Sequence, residues 1–186
     1  MFDFIMAIDQ ELLLLVNGLN SPSMDVIMLY ISSKLGWLPL YVLLLYVFYI
    51  DYKKTMWLPL IIIALTILLS DQTSVHLFKN VFERLRPCHE EGLAQKLHLI
   101  KYCGGQYGFV SSHASNSASV ATVIILLLKS KHRWVWPVMI FYTLIISYSR
   151  VYLGVHYPTD VIGGTLLGLM IAGICYQLFL LIQKRI

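Results

Sequence analysis

The residues best suited to chemistry lie between two long apolar segments near the end of the chain. From Ser149 onward, Arg150, His156 and Asp160 follow one another at spacings of six and four residues. Ionisable side chains beside such segments are costly to place and commonly mark a functional site. An Asp that binds one imidazole nitrogen fixes the tautomer, so the other nitrogen can attack. In the alternative interpretation, Asp160 only caps a helix that begins near Pro158.

Two cations precede a proline earlier in the chain. Lys79 and Arg86 are seven residues apart, which is two helical turns, so they share a face if the helix extends that far. Arg binds phosphate oxygens in a bidentate manner, and Lys adds a point charge. The alternative is a ladder of interfacial ion pairs that includes Glu83, and Arg84 fits that ladder better than Arg86 does.

A third stretch, Ser111-Ser112-His113, precedes an apolar helix. Hydroxyls and free N–H groups at a helix N-terminus form an anion site, and a histidine beside it can protonate a leaving alkoxide. The alternative is an ordinary N-cap followed by a solvated histidine. Together the three stretches supply three cations, two histidines, a carboxylate and two hydroxyls. This set of side chains is typical of a site that binds and cleaves a phosphate ester.

Composition places these stretches in a membrane. The 186 residues are 58% hydrophobic and only 13% charged, with a mean hydropathy of +0.72. Apolar runs near 20 residues are long enough to cross a hydrocarbon core of roughly 30 Å. We therefore predict an all-α, polytopic transmembrane helical bundle that forms a single domain over residues 1–186. The net charge of +4 comes from scattered basic residues, so no nucleic-acid partner is predicted.

We predict five to six spans with an amphipathic N-terminal helix. Residues 1–20 form this helix, at the membrane interface, and the first 33 residues are the source of any sixth span. The expected spans run over residues 26–50, broken near Ser32-Ser33, and over 56–79, 113–128, 134–150 and 158–183. With alternating topology, the three stretches that carry chemistry converge on one side of the membrane.

The basic residues indicate which side that is. The two sides carry equal numbers of basic residues. The loops opposite the site contain Lys53, Lys54, Lys129, Lys131, Arg133, Lys184 and Arg185. The side of the site contains Lys34, Lys79, Arg84, Arg86, Lys96, Lys101 and Arg150. Three of the second set are explained by the chemistry, which leaves an excess on the opposite side. We therefore expect a bacterial inner-membrane protein whose site, with the loop over residues 88–110, faces the periplasm or exterior.

The three stretches resemble, in order, the three-part signature of the type 2 phosphatidic acid phosphatase family. Lys79-x6-Arg86-Pro87, Ser111-Ser112-His113 and Ser149-Arg150-x5-His156-x3-Asp160 carry the resemblance. This family of membrane lipid phosphatases also includes soluble acid phosphatases and vanadium haloperoxidases. The resemblance implies a metal-independent lipid phosphatase that uses no cofactor and acts on a lipid phosphate in the bilayer.

The same resemblance implies a role for each residue. His156 attacks phosphorus to form a phosphohistidine, Asp160 orients it, and His113 protonates the leaving group. The implied phosphate-binding residues are Lys79, Arg86, Ser111, Ser112 and Arg150. One position departs from the family, whose second motif usually reads Pro-Ser-Gly-His, because Ser112 replaces the Gly. The added Cβ is expected to narrow the pocket or to constrain the backbone.

The three cysteines are divided between the loop and the last span. Cys88 and Cys103 lie in the loop, and a disulfide between them is plausible if the loop is extracytoplasmic, with two free thiols as the alternative. Cys175 is interpreted as an ordinary small apolar residue. The cysteine and histidine spacings do not predict a metal site.

The substrate and the oligomeric state stay open at this point. The candidate substrates are a polyprenyl diphosphate, phosphatidate, phosphatidylglycerophosphate and a lipid A phosphate, and the small loop favours the polyprenyl diphosphate or a simple phospholipid. One alternative function is a non-catalytic lipid-phosphate binding or transport protein of the same fold. Another is a haem- or quinone-binding electron carrier ligated by His113 and His156, which their placement among cations disfavours.

Overall fold

The computed structural model describes residues 2–100 and 103–185, so Lys101, counted above among the basic residues, lies outside the described part. The described residues form eight α-helices joined by short turns and one long loop. These are α1 (Phe2–Asn17), α2 (Pro22–Ile31), α3 (Leu38–Tyr52), α4 (Trp57–Thr73), α5 (Asn80–Phe82), α6 (Ser112–Leu128), α7 (Val135–Tyr152) and α8 (Pro158–Gln183). The prediction of an all-α fold is confirmed.

Helix α6 is the centre of the bundle, with α4, α7 and α8 packed around it. Small residues make this close packing possible, because Gly164 of α8 faces the Ser111 carbonyl and Gly168 faces the Ser115 carbonyl and the Ala118 Cβ. A side chain at either glycine would meet the backbone of α6. The α6 helix therefore lies against α8 at the end where Ser111 and Asp160 are located.

The two N-terminal helices form a bent pair. Ser21 caps α2, Pro22 is its first residue, and the axes of α1 and α2 are bent by 115°. On α1, Asp9, Leu13 and Asn17 are spaced four apart and all are buried against the bundle. The opposite face is apolar and exposed, with side chains from Phe4, Ile5, Ile8, Leu12 and Leu15.

Candidate spans are fewer than expected from the sequence. Three segments of the described chain are long and apolar enough to cross a membrane: Leu35–Thr55, Trp57–Phe82 and Pro158–Gln183. The bent pair adds a fourth if it counts as one span, and α6 is an apolar helix of only 17 residues. The count of five to six spans is therefore not confirmed. A central helix such as α6 is rich in buried serines and alanines because it faces other helices.

The segment from α4 to the long loop corrects one expectation. After α4 the chain continues through a π-helical turn, Ser74–Lys79, and the short α5, then ends its helical course at Phe82. Glu83 has a positive φ of 47°, and Arg86 is extended before Pro87. Lys79 and Arg86 therefore do not share a helical face, because the left-handed residue stops the helix between them.

Candidate active site

His156 and Asp160 form a buried pair between α7 and α8. Gly154, with a φ of 69°, makes the turn that reverses the chain after α7, and His156 follows two residues later. The His156 Nδ1 atom lies 3.3 Å from Asp160 Oδ2, which also accepts a 3.1 Å hydrogen bond from the Tyr157 backbone N–H. Asp160 thus caps α8 and binds the imidazole at once. Both contacts considered from the sequence, the helix cap and the bond to the imidazole, are therefore present.

Burial, and after it the nearby cations, determine the protonation of His156. Burial lowers the pKa of His156 well below its usual value, and the positive charges of Arg86, Arg150 and Lys79 lower it further. The imidazole is therefore neutral near pH 7. With Nδ1 turned toward Asp160, the Nε2 lone pair is the one left for attack on an electrophile.

Lys79 is anchored by the second serine of the Ser-Ser-His stretch. Its Nζ donates a 2.7 Å hydrogen bond to Ser112 Oγ, which also lies 2.7 Å from Ser74 Oγ. The serine that replaces the family's usual glycine thus supplies a hydroxyl that holds a cation. The expected narrowing of the pocket by its Cβ stays a prediction.

Arg86 is oriented by carbonyl groups of the long loop. Its Nε donates to the Tyr107 carbonyl at 3.2 Å and its Nη1 to the Cys103 carbonyl at 2.8 Å. Gly108 allows this packing, because a Cβ there would lie 3.1 Å from Arg86 Cγ and 3.0 Å from Asp160 Oδ2. The loop therefore places Arg86 next to the His156–Asp160 pair.

Arg150 approaches from α7 and is held by a residue distant in sequence. It is buried, and its Nη1 donates to Ser32 Oγ in the break between α2 and α3. Its Nε has no hydrogen-bond partner within residues 2–100 and 103–185. Arg150 thus joins the N-terminal helices to the site and keeps an N–H group for an anion.

Ser111 and His113 occupy different positions at the start of α6. Ser111 is buried, its N–H donates to the Asp160 carbonyl at 2.9 Å, and its Oγ accepts the Ala114 N–H at 3.5 Å as the helix cap. His113 is exposed and lines a cavity. Ser111 therefore secures α6 to α8, whereas His113 stands where a substrate leaving group can reach it.

The cavity beside His113 has a volume of about 570 Å³ and walls that are mostly apolar. Along α6 it is lined by His113, Asn116, Ser117, Val120 and Ile124, which lie on one face of the helix. The eleven steps from His113 to Ile124, at 1.5 Å each, correspond to about 16 Å, or half of a roughly 30 Å hydrocarbon core. Residues of α3, α4 and α7 close the other sides, among them Phe48, Ile67 and Ile146. The cavity has the length and the apolar lining to hold an acyl or prenyl chain, with Ser112 and His113 at one end.

A disulfide closes the long loop, as the sequence suggested. Cys88 and Cys103 are bonded, with Cα atoms 6.2 Å apart, while Cys175 is free and buried. His89 lies beside the two sulfurs, and the three side chains have the proximity of metal ligands. Because the sulfurs are bonded to each other, they are not available as thiolate ligands.

Comparison with known proteins decides the family. The profile of the PAP2 superfamily matches residues 55–184, which include all three stretches. This chain belongs to the PAP2 superfamily. It is 33% identical to the lipid A 4'-phosphatase of Porphyromonas gingivalis, over 98% of this chain and 78% of that protein. It is 34% identical to the lipid A 4'-phosphatase of Bacteroides thetaiotaomicron, over 90% and 75% of the two chains.

A solved PAP2 structure has the same fold. The transmembrane phosphatidylglycerolphosphate phosphatase of Bacillus subtilis superposes with a TM-score of 0.71 at 27% identity, covering 94% of this chain and 85% of that one. The prediction of an integral-membrane lipid phosphatase of this family is therefore confirmed. The individual roles of the site residues stay predictions.

Several residues of the PAP2 site were not singled out from the sequence. Ser32 and Ser74 bind Arg150 and Ser112, and Arg84 bonds Asp160 Oδ1 at 2.9 Å. Arg84 was assigned to an interfacial ladder, whereas its guanidinium points inward to the carboxylate. No local signal in the sequence marks this contact, because Arg84 and its partner Asp9 lie 75 residues apart.

Proposed function

We propose that this PAP2 protein removes a phosphate from a lipid A-type glycolipid through a phosphohistidine on His156. The single observation that carries the chemistry is the buried His156–Asp160 pair, in contact at 3.3 Å beside the cations Arg86, Arg150 and Lys79. The lipid A class is supported by the relatives from Porphyromonas and Bacteroides, which align with nearly all of the chain.

The first step is attack of His156 Nε2 on phosphorus. The new N–P bond forms as the ester P–O bond breaks, and His113 gives a proton to the departing alkoxide. Asp160 keeps the Nδ1 proton in place and stabilises the imidazolium character that develops. Arg86, Arg150 and Lys79 bind the phosphoryl oxygens, where negative charge is spread in the transition state.

The second step restores the enzyme. A water molecule attacks phosphorus, His113 takes its proton, and the P–N bond breaks to release inorganic phosphate with His156 neutral again. Every group in this sequence is a side chain of the protein, so the proposal predicts activity that chelators do not remove. The apolar cavity holds an acyl chain while the phosphate lies among the cations.

The test is phosphate release by the detergent-purified protein in the presence of EDTA. The panel contains a lipid A phosphate, phosphatidate, phosphatidylglycerophosphate and a polyprenyl diphosphate. We expect the highest kcat/KM with lipid A phosphate and a loss of roughly a thousandfold or more in His156→Ala. The control is His132→Ala, because His132 binds Asp51 at the opposite end of the bundle.

The outcomes separate the parts of the proposal. An acid-labile, base-stable phosphoryl label should be trapped on wild type and be absent from His156→Ala. Undiminished release by His156→Ala would reject the nucleophile, and faster release from polyprenyl diphosphate would reject the lipid A assignment. Binding of every lipid without any release would favour the non-catalytic alternative.

A further inference from the structure

A buried ion-pair cluster lies behind the nucleophile, away from the lipid cavity. It consists of Asp9 on α1, Arg84 before the long loop, and Thr159 and Asp160 on α8. Asp9 and Asp160 are almost fully buried, whereas the Arg84 side chain is 17% exposed. None of the four lines the cavity, and the Asp160 carboxylate lies between Arg84 and His156.

The two oxygens of Asp160 have separate partners. Oδ2 accepts the Tyr157 N–H and faces His156 Nδ1, while Oδ1 accepts a 2.9 Å hydrogen bond from Arg84 Nη1. A carboxylate held at one oxygen only can rotate about its Cβ–Cγ bond. The Arg84 contact at the other oxygen fixes that rotation, and with it the direction in which Oδ2 points at the imidazole.

Arg84 is itself held on three sides. Its Nη2 donates to Asp9 Oδ2 at 2.7 Å, its Nη1 also donates to Thr159 Oγ1 at 2.7 Å, and its guanidinium lies 4.1 Å from the centroid of the Tyr157 ring. Asp9 in turn accepts the Thr159 N–H at 2.9 Å. The Asp9 carboxylate therefore connects helix α1 to the active-site pair.

Charge gives this arrangement a second effect. One guanidinium is bound by two carboxylates that are buried, and a buried charge without its partner is strongly unfavourable. Without Arg84, Asp160 would lose both its anchor and its counter-charge. It would then support the positive imidazole less well when the phosphohistidine forms.

We propose that Arg84 is a positioning residue for the His156–Asp160 pair, and that Asp9 of α1 holds Arg84 in place. The chain of contacts runs Asp9–Arg84–Asp160–His156. Arg84 acts on the nucleophile from behind and does not bind the phosphate, in contrast to Arg86 two residues later. This proposal rests on the phosphatase mechanism above, and it makes the N-terminal helix a part of the catalytic apparatus.

The test compares kcat and KM of Arg84→Gln, Arg84→Lys and Asp9→Asn. We expect Arg84→Gln to lower kcat by about tenfold to a hundredfold with KM within about twofold of wild type, because a misaligned nucleophile costs rate and not phosphate affinity. Arg84→Lys should regain part of the rate, and Asp9→Asn should lose less than Arg84→Gln. The matched control is Asn20→Ala, which removes a hydrogen bond to the Asn17 carbonyl at the end of α1 without touching Arg84, Asp160 or the long loop.

A double-mutant cycle distinguishes positioning from general stability. In an Asp160→Asn background, adding Arg84→Gln should lower kcat by less than about a further twofold. The reason is that both changes disable the same chain of contacts from Arg84 through Asp160 to His156. Additive losses, or an Asn20→Ala variant with the same kcat loss as Arg84→Gln, would overturn the proposal. Equal kcat in wild type and Arg84→Gln would overturn it as well. Failure of the mechanism itself is recognised separately, by an active His156→Ala variant.

Discussion

At the residue scale, Lys79 is held by a hydroxyl group. Ser112 Oγ accepts from Lys79 Nζ and also contacts Ser74 Oγ, so two helical segments fix one ammonium group. A lysine side chain that is already ordered loses less conformational entropy when it binds phosphate. The hydroxyl of Ser112 therefore offers this chain a contribution to phosphate binding that a glycine cannot make.

Replacement of Ser112 tests whether its hydroxyl or its Cβ matters. A hydrogen bond to a charged group contributes about 1.5–3 kcal/mol, and we expect a part of this to appear as a KM raised by about threefold to tenfold in Ser112→Gly. Ser112→Ala should behave in the same way, with kcat nearly unchanged in both. Steady-state kinetics on the preferred lipid measures this. A KM that rises in Ser112→Gly but not in Ser112→Ala would assign the effect to the Cβ.

The site residues that the sequence revealed differ in kind from those it did not. His156, Asp160 and Arg86 could be predicted because their chemistry is unusual next to apolar segments. Asp9 and Arg84 could not, since each is an ordinary polar residue until its partner 75 residues away is known. Contacts between residues so far apart in the chain depend on how the helices pack, and that packing cannot be read from a single sequence.

At the scale of secondary-structure elements, the breaks between helices are easier to predict than the lengths of the helices. The turn before Pro22 and the interruption at Ser32 follow from residues that disfavour helix, and both occur. The expected span ended at residue 79, three residues before the observed end at Phe82, where Glu83 adopts a left-handed conformation. The count of five to six spans stays a prediction, because helices inside the bundle need less apolar surface than helices in lipid.

The long loop combines a covalent link with a functional contact. The Cys88–Cys103 disulfide closes a segment of 15 residues, and the carbonyl of Cys103 accepts from Arg86. Asn17 of α1 fixes the middle of the loop through the His98 N–H at 2.8 Å and the His98 carbonyl at 3.0 Å. The loop that positions Arg86 is therefore closed by the disulfide and held at His98 by hydrogen bonds with Asn17.

Removal of the disulfide should weaken both the fold and the phosphate site. For Cys88→Ala/Cys103→Ala we expect the free energy of unfolding to fall by about 3 kcal/mol on the loop-entropy model. We also expect KM to rise, because the Cys103 carbonyl is no longer held against Arg86. Thermal unfolding in detergent and steady-state kinetics measure the two effects. Cys175→Ala is the control for KM, and a reducing agent should not affect the double variant. An unchanged KM would separate the loop from the site.

At the scale of the whole molecule, the two ends of the bundle differ, because one carries the candidate active site and the other carries the basic turns. The phosphate cations and the disulfide lie at one end, while Asp51 at the other end binds His132 at 3.0 Å and Lys131 at 3.6 Å. Basic loops tend to stay in the cytoplasm, and disulfides persist in oxidising compartments. Two independent tendencies thus favour the same orientation, with the active site outside the cytoplasm.

A matched pair of cysteine variants tests that orientation. Lys96→Cys lies in the long loop and Lys131→Cys in the turn between α6 and α7, and both positions are exposed. The native cysteines are bonded or buried, so they give little background with a maleimide. In bacterial cells with a permeabilised outer membrane, a membrane-impermeant maleimide should label Lys96→Cys and spare Lys131→Cys. Both should react after lysis, which verifies that each thiol is accessible.

The labelling result bears on the substrate as well as on the membrane. A site outside the cytoplasm acts on lipids that have already been moved to the outer leaflet, and the cavity of about 570 Å³ then accepts a chain from that leaflet. Labelling of Lys131→Cys alone before lysis would place the active site in the cytoplasm. The phosphate would then be removed before the lipid crosses the membrane. Phosphatase activity of both variants, measured in detergent, ensures that the fold is intact when the two patterns are compared.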